Sequence, residues 1–295
     1  MTKSETIPNL ELAGDGATAS RPAADQSSSV NRHSSLPSGV PTISKPLLRL
    51  FTWYSRRLLR RNFHSLRVSL RGMPPPASGV PTVIYSNHAS WWDPLVALML
   101  AEEFFRNNDM FGPMDAKALE KHAFFKKLGV FGVELESFRG AKNFLRTARA
   151  ILAQRGSVLW MTPQGRFADA RERPVHFKPG IGHLTGLRER IRFVPVAIEY
   201  TFWEERRPEI LVRFGQKIEL AQHDLKHAAA ACTGFFERQL AETQDALALE
   251  VTRRDPSEFR CLLRGRAGVG GVYDAWRRLK AAWRGEGFNP QHGRL

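Results

Sequence analysis

Cysteine is nearly absent: two residues, Cys232 and Cys261, occur in 295. They are too far apart in the chain to read as a disulfide framework or a cysteine-based zinc site. No apolar run approaches the ~20 residues that a membrane-spanning helix needs. The opening "MTKSETIPNLELAGDGATAS" has no basic segment followed by an apolar one, so no secretory leader is read there. No Gly-x-Ser-x-Gly elbow occurs, which removes the usual sign of a serine nucleophile. No internal repeat at a solenoid period occurs either. Acidic residues are outnumbered, with 29 Asp and Glu against 44 Lys and Arg, for a net charge of +15. Such a surplus points to an anionic partner, and charge alone does not choose between nucleic acid and anionic lipid.

A hydrophobic content of 42% is enough for a globular core. Residues 1–42 are rich in Ser, Ala, Pro and Gly and cannot offset their own ordering entropy, which predicts a disordered tail. Residues 43–74 read as a basic amphipathic helix: Leu47, Leu50, Phe51, Tyr54, Leu58, Leu59 and Phe63 recur at three- and four-residue spacing among Arg49, Arg56, Arg57, Arg60, Arg61 and Arg67. Trp53, Tyr54 and Phe51 set among arginines suit a bilayer interface better than plain core packing. "MPPPASG" then stops the helix.

Residues 75–222 read as an α/β core, a mixed central sheet flanked by helices. "PTVIYS", "SVLWMTP", "IRFVPVAIEYTF" and "EILVRFGQKIEL" read as strands; "PLVALMLAEEFF", "FFKKLGVF" and "AKNFLRTARAILAQRG" read as helices. Residues 223–295 read as a helical, basic extension whose last part suits a second interfacial helix. His223 and His227 share a helical face there, without the partners a metal site needs, so no metal is expected.

The chemistry concentrates in "TVIYSNHASWWDP", where an apolar strand runs into Asn87 and His88, and Asp93 follows five positions on. On a continuous helix this spacing turns the two side chains about 140° apart, so they meet only across a strand-to-helix turn. Pro94 marks the start of that helix, and Asp93 is then either its N-cap, the partner of His88, or both. A histidine oriented by a carboxylate suits general-base removal of a hydroxyl proton.

"NHASWWDP" resembles the first signature of the glycerolipid acyltransferases, the family of 1-acylglycerol-3-phosphate acyltransferases. "GVFGVELESFRGA", "MTPQGRF" and "FVPVAIEY" stand in the order of the remaining three. The resemblance covers roughly residues 46–220. It implies that His88 is the base, that Asp93 orients it, and that an acceptor hydroxyl attacks the thioester of acyl-CoA or acyl carrier protein. It also implies substrate-binding roles for Asn87, Arg139, Gln164, Gly165 and Arg166. No cofactor is expected, the acyl donor being a substrate.

Two departures touch the acceptor region. Glu136 and Ser137 stand where an acidic residue and an arginine are expected, with Arg139 two places on, and Gln164 replaces a glutamate. Loss of the bidentate phosphate-binding arginine argues against lysophosphatidate itself. The expected function is a membrane-associated O-acyltransferase working on a lysophospholipid-like acceptor. The alternatives are a glycolipid, amino-acid lipid or isoprenoid acceptor, or an inactive basic relative that binds membrane or nucleic acid. The expected partners are an anionic bilayer surface and the acyl donor, with no nucleic acid. The expected location is the cytoplasmic face of the cell membrane, peripheral or monotopic.

Overall fold

The structure, a computed structural model, describes residues 39–76, 79–188, 190–221, 229–266 and 283. The predicted tail up to residue 38, His223 and His227, and the proposed second interfacial helix lie outside the described residues, Trp283 apart. The described tail residues 39–42 already join the body: Val40 is buried in the core and Ile43 bridges to Leu128.

Helix α1 (Lys45–Asn62) leads into strand β1 (Ser65–Ser69), followed by β2 (Thr82–Ser86), α2 (Asp93–Phe104), β3 (Met110–Asp115), α3 (Ala116–Lys121) and β4 (Val130–Val133). Then come α4 (Phe138–Leu152), β5 (Val158–Met161), α5 (Gly180–Leu184), β6 (Arg190–Thr201), β7 (Glu209–Phe214), β8 (Ile218–Ala221), α6 (Ala229–Arg253) and β9 (Phe259–Arg264). The fold is α/β, with a mixed nine-stranded sheet in the order β4-β3-β5-β2-β6-β7-β1-β9 and β8 paired to β6. Strands β4, β3, β5, β2 and β6 are mutually parallel, and β7, β8 and β9 each make an antiparallel pair.

Side chains alternate across the sheet as the pleat requires. Ile84, Val158, Trp160, Val194 and Val196 face α2 and α1, whereas Val83, Tyr85, Leu159, Met161 and Phe193 face α4, α5 and α6. Helix α2 is apolar nearly all round, with Leu95 through Ala101 buried, because the sheet covers one side and α1 another. Helix α1 turns Thr52, Ser55 and Leu59 inward and leaves Leu50, Trp53 and Tyr54 outward.

Several sequence expectations are corrected. The helix predicted over 43–74 ends at Asn62, and "SLRVS" is the strand β1. Leu66 and Val68 extend the helical stripe by coincidence of spacing, but His64 N–H donates to Pro208 O at 2.9 Å and turns the chain into the sheet. "FFKKLGVF" divides into a 3-10 turn over Ala123–Lys127 and strand β4. "EILVRFGQKIEL" is two strands, since the twelve-residue β6 pairs with β7 along its C-terminal half and β8 along its N-terminal half. The segment after 223 is no appendage: α6 packs on β6 and β7, and β9 pairs with β1.

Candidate active site

In a parallel sheet, ligand sites form where the strands end at their carboxyl edge and the chain departs in both directions. Strand β2 ends at such a point, between β5 and β6, and His88 lies just beyond it.

Asn87 comes first. It is 1% exposed, and its amide pairs with the backbone of Ile198 at both ends: Nδ2 donates to Ile198 O at 2.9 Å, and Oδ1 accepts from Ile198 N–H at 2.8 Å. The side chain thereby extends the β2–β6 ladder by one residue. Both ends of the amide are occupied, so the substrate-binding role expected of Asn87 is replaced by an anchoring one.

His88 is held from four sides. Its N–H donates to Gln164 Oε1 at 3.0 Å, its carbonyl accepts from Ala168 N–H at 2.9 Å, and its ring lies against Phe167 with 4.3 Å between centroids. Its Nδ1 stands 2.7 Å from Asp93 Oδ2. With a carboxylate there, Nδ1 carries the hydrogen and Nε2 keeps its lone pair. The His88 side chain is 21% exposed and that of Asp93 only 3%, so the imidazole is reachable while its partner is not.

The turn that lets them meet is closed by Asp93 itself. Asp93 N–H donates to Ser90 O at 3.1 Å, and Asp93 Oδ2 accepts from Ser90 N–H at 3.0 Å. Asp93 is the first residue of α2, Trp92 occupies the N-cap position, and the carboxylate faces back into the turn rather than forward along the helix. The N-cap alternative for Asp93 is therefore not what forms. Its other oxygen, Oδ1, accepts from Tyr200 O–H at 2.5 Å. Burial, with the Asp93 charge added, pushes the Tyr200 phenol well above its ordinary value, so it stays a donor. A carboxylate with three donors is stable in a buried setting, and an imidazole held against it can accept a proton at Nε2 and be stabilised as the cation.

Gln164 is buried and sits behind the His88 backbone, so it positions the base rather than facing an acceptor. Gly165 takes φ +65°, a left-handed conformation at the turn leaving β5, and a Cβ there would stand 2.9 Å from Lys178 Cε. Arg166 is exposed and forks onto Glu172, with Nη1 at 3.2 Å from Oε2; this pair holds its guanidinium above the ordinary arginine value. Arg139 is exposed in the first turn of α4 and forms no ion pair with a carboxylate among the described residues. Ser137, where the resemblance calls for arginine, caps α4 by accepting from Gly140 N–H at 2.9 Å. Among the described residues no group of three His, Cys, Asp or Glu could hold a metal ion.

Of the sequence-predicted residues, His88, Asp93 and Gln164 come together directly, and Gly165 and Arg166 follow in the adjoining loop. Tyr200, Phe167 and Ser90 were not anticipated. Tyr200 closes the block "FVPVAIEY", and its even spacing from Ile198 and Val196 was the available signal that it shares their face of the sheet.

Residues 65–199 match the family model described as Acyltransferase. Over this stretch the chain carries an acyltransferase domain. The matched stretch begins at the first residue of β1 and stops one residue before Tyr200, so β7, β8, α6 and β9 lie beyond it. In a comparison with curated proteins, none matches the chain.

Proposed function

We propose that this acyltransferase moves a fatty acyl group from the thioester of acyl-CoA or acyl carrier protein to a hydroxyl of a lysophospholipid-like acceptor, with His88 as general base. The observation that carries the reading is the 2.7 Å contact between His88 Nδ1 and the buried Asp93, which leaves Nε2 free on the open side. Nε2 takes the hydroxyl proton as the acceptor oxygen attacks the thioester carbonyl. Asp93 stabilises the imidazolium, and collapse of the tetrahedral intermediate expels the thiolate, which takes that proton back from His88. The acceptor differs from lysophosphatidate in this reading, because Ser137 serves as a helix cap where a phosphate-binding arginine is called for.

The protein works as a peripheral enzyme on an anionic leaflet, such as the cytoplasmic face of the cell membrane. Support comes from α1, whose outward side carries Leu50, Trp53 and Tyr54, each at least half exposed, beside exposed Arg57, Arg60 and Arg61. No helix among the described residues is long and apolar enough to cross a membrane.

The test is transfer from labelled long-chain acyl-CoA and from acyl carrier protein to a panel of lysolipids in membranes, for wild type and His88→Ala. Transfer that falls about 10²–10⁴-fold in a folded variant supports the base assignment. Lysophosphatidate outperforming every other acceptor would overturn the acceptor reading, and no transfer to any lysolipid would overturn the substrate class.

A further inference from the structure

Three segments meet at the edge of the sheet where His88 lies. Strand β1 begins there, and β6 and β9 end there: Ser65 pairs with Glu209 and Arg264, and Thr201 pairs with Glu209. Backbone contacts draw the segments tight. Besides the bond from His64 N–H to Pro208 O, Gly265 N–H donates to His64 O at 2.7 Å. Gly265 lies so close to the end of α1 that a Cβ would stand 2.0 Å from Phe63 O and 2.9 Å from Arg60 O. This convergence brings Arg61 from α1, Arg206 and Arg207 from the β6–β7 connection, and Arg266 from the residues after β9 close enough for the other three charges to act on Arg207.

Among the described residues no carboxylate pairs with this cluster. Glu209 is taken by Arg67 at 3.4 Å and by Ser65, and Glu205 lies 4.0 Å from His64 and has a further partner. None of the four arginines forms an ion pair with a carboxylate among the described residues. Arg207 Nη1 is buried with no hydrogen-bond partner among the described residues. Burial first, and then repulsion from Arg206, Arg266 and Arg61, holds the Arg207 guanidinium below its ordinary value. The negative end of the α1 dipole accounts for Arg61, but it does not explain three further arginines brought in from other elements. A buried donor and crowded like charges cost stability unless an anion answers them.

The surroundings indicate where that anion sits. Phe63 packs edge-on to Trp92 at 4.9 Å and against Tyr200 at 5.7 Å, and Tyr200 in turn holds Asp93. Exposed Trp91 stacks on Trp92, and Phe202, in the same β6–β7 connection as Arg206 and Arg207, is exposed. An aromatic wall therefore runs from the arginines to the His88–Asp93 pair, a surface for a molecule with a charged head and an apolar body.

We infer that Arg61, Arg206, Arg207 and Arg266 form a binding site for the phosphate group of a lipid headgroup, placed beside the acyl-transfer site. The planar fork of arginine suits phosphate oxygens, and four of them from three segments surround one better than a single helix face does. The lipid source of the phosphate rests on the membrane-docking part of the proposed function; the site itself does not.

The test measures full-length protein against two probes at constant ionic strength: inorganic phosphate by titration calorimetry, and phosphatidylcholine vesicles with and without an anionic phospholipid by co-sedimentation. The variants are Arg206→Gln/Arg207→Gln and a charge-matched control, Arg146→Gln/Arg149→Gln on α4. Loss of vesicle binding on the order of thirtyfold in the first variant, with the control near wild type, is expected. The same pattern with inorganic phosphate alone would establish the site and overturn its lipid source. Equal losses in both variants would reduce the effect to overall charge and overturn the site, as would no binding to either probe. Should the double variant fail to fold, the exposed Arg266→Gln replaces it, with about a fivefold loss expected. His88→Ala retains full vesicle binding if the site is separate, and wild-type protein that binds vesicles yet transfers no acyl group refutes the enzymatic reading and leaves this one standing.

Discussion

Asp93→Asn isolates the charge of the candidate catalytic carboxylate from its shape. The asparagine oxygen can take the place of Oδ2, accepting from His88 Nδ1 and from Ser90 N–H at 3.0 Å, while its amide donates to the Tyr200 hydroxyl. The His88 tautomer is unchanged; the negative charge facing the imidazolium is gone, and the Tyr200 O–H gives up its acceptor while its oxygen takes the new amide proton. Two unit charges about 4 Å apart interact by ~4 kcal/mol at an effective dielectric of 20, which corresponds to roughly a thousandfold in rate. That figure is an upper bound, because Tyr200 and Ser90 share the same charge, so a fall in kcat of about 10²–10³ with little change in KM is expected. Steady-state kinetics on a working acceptor supply the measurement, with His88→Ala alongside. A rate within tenfold of wild type would mean that Asp93 only orients His88, and the electrostatic argument would be wrong.

Asn87→Ala removes both side-chain bonds to Ile198 and leaves a buried N–H and C=O unpaired, a loss of about 2–4 kcal/mol. A fall in Tm of roughly 5–10 °C follows, and an unchanged melting curve would refute the anchoring role. Glu199→Gln tests pH linkage. Burial raises the Glu199 carboxyl above its ordinary value despite the opposing Arg171, so the folded state holds this proton more tightly than the unfolded state does. Stability from that proton is complete below the ordinary carboxylate range and is lost as pH rises through the raised value. The variant should therefore melt higher than wild type at neutral pH and gain nothing near pH 4; a gain independent of pH would contradict the cause. Leu50→Ser/Trp53→Ser removes exposed apolar surface from α1 without touching the inward Thr52, Ser55 and Leu59. Vesicle binding should drop about tenfold or more at unchanged Tm, and unaltered binding would remove α1 from the docking surface.

Strands β2, β5 and β6 were legible because apolar runs bounded by Pro, Gly or Ser leave no competing period. Strand β3 was not, since "MFGPMD" contains Gly112 and Pro113, both poor strand residues. The structure tolerates them because β3 pairs with β5 only through Met110 and Phe111, and the ladder on that side has ended before Pro113. Strand β1 was hidden because Leu59, Phe63 and Leu66 continue a helical spacing across the break at Asn62. At the site, the turn argument placed His88 against Asp93 correctly, since it needed only local geometry. Tyr200 stands 107 residues from Asp93, and no local pattern reports that distance. Arg166, which the resemblance places at the acceptor, lies in the loop adjoining His88, and its pairing with Glu172, six residues on, is a loop contact that no strand or helix period reports.

The supports of His88 come from both flanking strands, which ties its position to sheet spacing. On one side, β5 runs into Gln164, whose Oε1 receives the His88 N–H; on the other, β6 supplies Ile198 to Asn87 and Tyr200 to Asp93. Neighbouring strands lie ~4.8 Å apart, so three adjacent strand ends fix the residue before the base, the base and the carboxylate behind it within a narrow range. Such an arrangement needs an acceptor lone pair from Gln164 but no charge. A glutamine therefore keeps the framework where the resemblance calls for glutamate, and Asp93 is the carboxylate that faces the imidazole. A second negative charge against His88 would oppose the approach of any anionic headgroup or thioester phosphate, and the neutral amide avoids that repulsion while leaving the backbone of His88 held.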